Sequence, residues 1–95
     1  MKGTEKQIAW AENIVEVIRM IFEEAEKVQE NHPMIEQVKA MHKTIINNME
    51  NMHAGDVIDD FKDIVKHEEN TMGDYQFIVT RITTCEMTKG RVYRK

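Results

Sequence analysis

Cysteine, proline and glycine are all scarce in this chain of 95 residues, which holds one Cys, one Pro and four Gly. The single thiol, Cys85, excludes an intramolecular disulfide framework and fits a reducing compartment. The glycines stand singly, so there is no glycine-rich loop to cradle a phosphate. No apolar run approaches the length of a membrane span. Met1-Lys2 leads straight into polar residues rather than into the apolar core of a signal peptide. The address expected is the cytoplasm of the producing cell.

Chemistry-bearing motifs are missing too. His32, His42, His53 and His67 show no i, i+4 pair and no Cys-x-x-Cys neighbour, so no metal site is expected. Cys85 has no His near it in sequence to act as a base. Asp56, Asp59, Asp60 and Asp63 cluster where a helix starts, and acids there complement the helix dipole. With no convergent catalytic set, the chain reads as a non-enzyme that needs no cofactor.

What is present is helical pattern and charge. Hydrophobic residues make up 41% and charged residues 32%, the balance of one small globular domain over 1–95. Eight Met against six aromatics suit an adaptable core or contact surface. Thr4 and Gln7 form a capping box. Behind it Gln7, Ala11, Ile14, Ile18, Ile21, Ala25 and Val28 repeat at spacings of four and three, a heptad seam on a helix over about 4–29. Ile8, Val15 and Phe22 widen it on one side, and Trp10 and Val17 flank the other. That face looks too wide for so short a chain to cover, so a homo-oligomer through the Ile14, Ile18, Ile21 and Phe22 face is expected.

Asn31-His32-Pro33 breaks the helix, and Pro33 suits the first position of the next. The second helix is expected over 33–52, with a seam of Met34, Val38, Met41, Ile45, Asn48 and Met52. Ile35, His42 and Met49 lie one step over. The short connection implies an antiparallel helical hairpin. Gly55 is placed as a left-handed cap, and Asp56 opens a short third helix over 56–69. From Tyr75 the chain is rich in β-branched and aromatic residues, which predicts strands over 75–86 and 91–95 joined by a turn at Lys89-Gly90. The expected class is α+β, mainly α, with a C-terminal β-hairpin.

The formal net charge of −4 hides an asymmetry: residues 1–75 sum to −8 and residues 76–95 to +4. Arg forks fit phosphate and aromatic faces stack on bases. The ligand-binding candidates are therefore Phe77, Arg81, Thr83, Arg91, Tyr93 and Arg94. Arg81, Arg91 and Arg94 would pair with phosphates, and Phe77 or Tyr93 would stack. The same basic end could simply pack near acidic helices.

The stretch Gly3-Thr4-Glu5-Lys6-Gln7-Ile8-Ala9-Trp10-Ala11-Glu12 resembles the opening of small proteins carried by phages, plasmids and integrative elements of Firmicutes. Among phage proteins it is similar to the first Thoeris anti-defence family. That resemblance implies an oligomeric sponge in the bacterial host, sequestering cyclic ADP-ribose isomers or cyclic oligonucleotides without catalysis. It carries no ligand residues across to this chain. The competing expectation is an anti-CRISPR-type inhibitor whose acidic helices mimic nucleic acid against a host defence protein.

Overall fold

The computed structural model describes residues 1–84. They form α1 (Glu5–Val28), α2 (Ile35–Glu50), α3 (Ala54–Phe61) and α4 (Thr71–Thr84). α1 is the hub, and each of the other three helices packs on it. Its capping box forms as the sequence suggests. Thr4 Oγ1 accepts from the Gln7 amide at 3.2 Å, and Gln7 Oε1 accepts from the Thr4 amide at 3.1 Å. Two N–H groups left open at the helix start are thereby satisfied.

The seam residues Ala11, Ile14, Ile18, Ile21 and Ala25 are buried, together with Val15 and Phe22. This overturns the reason for placing an oligomer contact there. Ile14, Ile18, Ile21 and Phe22 are 7%, 0%, 0% and 1% exposed within a single chain. The central part of the apolar face is closed by the chain itself, with α4 supplying an apolar wall where strands were expected, while Trp10 on the flank stays 51% exposed.

The predicted β-hairpin is contradicted. Residues 71–84 are helix, and the described residues contain no strand beyond one isolated bridge between Lys2 and His53. Residues 91–95, expected as the returning strand, lie outside the described residues. Local preference favours strand in Ile78-Val79-Thr80-Arg81-Ile82-Thr83-Thr84, but β-propensity is readily overridden by packing. Buried Asp74, Ile78 and Ile82 recur every four residues, with half-buried Tyr75 beside them. That helical period turns Ile78, Ile82 and the Tyr75 ring toward the core. Thr83 Oγ1 also bonds back to the Val79 carbonyl at 2.8 Å, as hydroxyls on helices do.

The smaller boundaries shift for local reasons. α2 starts at Ile35 because His32 Nδ1 accepts from the Met34 amide at 3.0 Å, holding Pro33 in the turn. Its buried residues are Ile45 of the expected seam and His42 and Met49 one step over, so the inner face lies between the two lines. Gly55 belongs to α3 rather than ending α2, and His53 caps α3 by accepting from the Gly55 amide at 3.0 Å. The left-handed glycine is instead Gly3, at φ 143°. There the N-terminus crosses α3, and Lys2 O accepts from the Ala54 amide at 2.7 Å. A Cβ on Gly3 would stand 3.0 Å from the Ala54 Cβ, so both conformation and space favour glycine.

α3 stops at Phe61 instead of running to 69. Beyond it Ile64 turns into the core while Val65 stays 59% exposed. No helix of the described residues is long and apolar enough to cross a membrane.

The helical reading of α4 separates two neighbouring residues. Ile78 is fully buried and Phe77 is 49% exposed. Ile78→Ala should cost about 2–5 kcal/mol, the range for buried aliphatic truncation. Phe77→Ala should cost less than about 1 kcal/mol. Urea denaturation of the two variants checks this, and an inverted order contradicts the helix.

Candidate functional site

The core contains a polar relay across three helices. His42 of α2 is 2% exposed, and its ring stacks on Phe22 of α1 with centroids 4.3 Å apart. Its Nδ1 lies 2.7 Å from Glu26 Oε2 on α1, and its Nε2 lies 2.7 Å from the Tyr75 hydroxyl on α4. An ionised carboxylate only accepts, so Nδ1 carries the proton and Nε2 accepts from the tyrosine O–H. Both ring nitrogens are thus satisfied, and the imidazole has no lone pair left for a ligand. The arrangement tethers α2 and α4 to α1. Sequence reasoning missed it, although His42 falls on the same helical period as Ile45 and Met49.

Beside this relay, α1 and α2 border an open groove of about 680 Å³. Arg19, Glu23 and Glu26 line it from α1, and Lys39, Lys43 and Glu50 from α2. Arg19 pairs with Glu50 across the groove. The two signs balance, so the groove has no net attraction for an anion.

The predicted ligand residues within the described chain all lie on α4, and their polar groups are engaged. The Arg81 guanidinium forms a two-pronged ion pair with Asp63, one prong at 2.6 Å, and also donates to the Asp60 carbonyl at 2.8 Å. It sits over the Phe77 ring, 4.9 Å from its centre. The arginine therefore braces the end of α3, where the last carbonyls of a helix need donors. The hydroxyl of Thr83 is bonded to its own helix. A hollow of about 430 Å³ lies beside Phe77 and Arg81, but the fork is turned away to Asp63. Arg91, Tyr93 and Arg94 lie outside the described residues. Phe77 and Arg81 are thus brought together, while Thr83 makes no common site with them.

A second group of contacts holds the segment leading into α4. Asp74, 7% exposed, accepts from the His67 amide and from His67 Nδ1, both at 2.6 Å. Burial alone would raise its pKa. The two hydrogen bonds and nearby Lys66 outweigh that and hold the carboxyl below its ordinary range. Asp63 is likewise lowered, chiefly by the hydrogen bonds from Arg81. Glu24 is lowered by its bonds from Lys66 at 3.0 Å and Thr71 at 2.9 Å.

The outer side of α1 carries an extended acidic surface. Glu5, Glu12, Glu16 and Glu23 are all exposed, and spacings of seven, four and seven keep them on one ridge roughly 27 Å long. Glu5, Glu12 and Glu23 have no ion-pair partner among the described residues. Residues 1–84 hold sixteen acids and nine bases, a net of −7. Among the described residues, no group of three His, Cys, Asp or Glu is placed to hold a metal ion.

The class these features define is a small acidic helical bundle built on one central helix. No protein-family model, curated protein or solved structure matches the chain.

Two outcomes test this wiring. Tyr75→Phe leaves His42 Nε2 buried without its donor and should cost about 1–3 kcal/mol, read as a lower urea midpoint. Asp63 and Asp74 titrate below their ordinary range when folded, so their contribution is complete above that range. It is lost as pH falls through the depressed values. Asp74→Asn should therefore be less stable at pH 7 and lose less on acidification, measured by urea midpoints at neutral and acid pH.

Proposed function

We propose that the chain is a stoichiometric inhibitor, without catalysis, that presents an acidic helical surface to the basic groove of a nucleic-acid-handling protein such as a CRISPR nuclease. The observation that supports this reading is the ridge of Glu5, Glu12, Glu16 and Glu23 on the outer side of α1. Those carboxylates stand on a helix whose inner face is buried from Ala11 to Ala25, so the backbone that spaces them is fixed before any partner arrives and little ordering is needed on docking. Charges in such a row steer association toward a positive cleft. The resemblance of the first residues to proteins of phages and mobile elements supplies the setting, in which such an element disables a host defence protein.

Capture of a small cyclic nucleotide is the second reading. Its support is the basic run Lys89, Arg91, Arg94 and Lys95 with Tyr93 among them. The engagement of Arg81 with Asp63 and Asp60 weighs against the role first given to that residue.

The test is displacement of labelled guide-bound DNA from purified CRISPR nucleases. Inhibition should weaken steeply as salt rises. Joint replacement of Glu12, Glu16 and Glu23 by Gln should weaken it by about tenfold or more, with the helical circular dichroism unchanged. Inhibition that ignores both salt and the triple replacement rejects the acidic-surface mechanism. Stoichiometric release of a nucleotide on heating, after incubation with cyclic nucleotides, establishes the second reading instead.

A further inference from the structure

α1 carries a second seam. Lys6, Trp10, Asn13, Val17, Met20 and Glu24 follow one another at spacings of four, three, four, three and four. They form a stripe beside the buried one. The chain leaves this stripe largely uncovered. Lys6 and Asn13 are exposed, Trp10 is 51% and Met20 42% exposed, and Val17 is half-buried. Trp10 and Met20 thus leave apolar surface in water along one line of α1, which a partner helix can cover.

The stripe is its own complement. Inverted about the point midway between Asn13 and Val17, it sets Lys6 opposite Glu24, Trp10 opposite Met20 and Asn13 opposite Val17. Each pairing then occurs twice, as a twofold interface requires. We propose that a second copy of this chain docks here, α1 against α1 and antiparallel.

Charge complementarity selects that occupant and that direction. Lys6 has no ion-pair partner among the described residues. Glu24, at the far end, is bonded by Lys66 and Thr71 yet keeps 39% of its side chain in solvent. A parallel pair would place Lys6 on Lys6 and Glu24 on Glu24. A uniformly acidic or basic foreign helix would meet repulsion at one end. The antiparallel pair satisfies both ends and gives two sulfur–aromatic contacts between Trp10 and Met20. The Glu5, Glu12, Glu16 and Glu23 ridge lies about a quarter turn away around the helix, so the dimer leaves it exposed.

Sedimentation equilibrium of the full chain from micromolar to millimolar concentration tests this, with the emission of Trp10, the chain's single Trp, read on the same samples. A monomer–dimer equilibrium is expected, with emission moving to the blue as the dimer forms. Lys6→Glu should weaken association by roughly fivefold to tenfold, because two ion pairs become two repulsions. Glu24→Lys should weaken it similarly. An equimolar mixture of these two variants should associate more tightly than either alone, since both ends of the mixed antiparallel pair are again opposite in charge. Trp10→Ala should lower affinity by about tenfold or more. Circular dichroism confirms that the variants stay folded.

A monomer over the whole range overturns the proposal. So does a dimer indifferent to both Lys6→Glu and Trp10→Ala, which would place the contact elsewhere, or a mixture no tighter than its parts. Because Glu24→Lys also disturbs Lys66 and Thr71, Lys6→Glu is the decisive single variant.

Discussion

Everything in this fold depends on covering the inner face of α1. The helix presents Ala11, Ile14, Val15, Ile18, Ile21, Phe22 and Ala25 on one side, and leaving such a surface in water is costly in proportion to its apolar area. Three shorter helices meet that demand by packing on the same rod. Their own apolar residues are few, and each makes sense only against α1. Ile45 and Met49 serve α2, Val57, Ile58 and Phe61 serve α3, and Ile78 and Ile82 serve α4. α1 in turn keeps its polar side for solvent, which is why its glutamates stand together in a row.

The hub arrangement also explains why polar groups enter the core where they do. Phe22 stacks with His42 and meets Tyr75 edge-on, with ring centroids 5.8 Å apart. An imidazole in that position needs two partners, and Glu26 and Tyr75 arrive from the two helices able to reach it. Buried polar groups satisfied in this way specify one register more sharply than aliphatic packing alone, because a displaced helix leaves them unpaired. Arg81 plays a comparable part at the other end, fixing α4 to the close of α3.

The legible part of this structure was what local pattern dictates. The capping box at Thr4 and Gln7, the seam of α1 and the break at Asn31-His32-Pro33 all follow from interactions within a few residues. The segment after Tyr75 was misread because its local preference and its packing disagree. Isolated β-branched residues favour extension, whereas Ile78 and Ile82 four apart fit the groove on α1. The clue was there, but with so few apolar positions the period of four competed with an equally short alternation. The site was less legible still. Arg81 looked like an available phosphate fork only because Asp63 is eighteen positions away in sequence and adjacent in space. Glu26, His42 and Tyr75 are likewise far apart along the chain. The relay they form arises from tertiary placement, which no motif spacing records.

The position of the hub in the chain has a consequence for synthesis. α1 leaves the ribosome before the three helices that cover it, and α4, one of those walls, emerges more than forty residues later. Throughout that interval the helix with the most residues to bury has only part of its eventual shelter. Nascent chains in that condition associate with one another or with chaperones. Translation that stops short of α4 should therefore release a fragment whose apolar face lacks part of its cover, and slow decoding of α4 would prolong the same exposure.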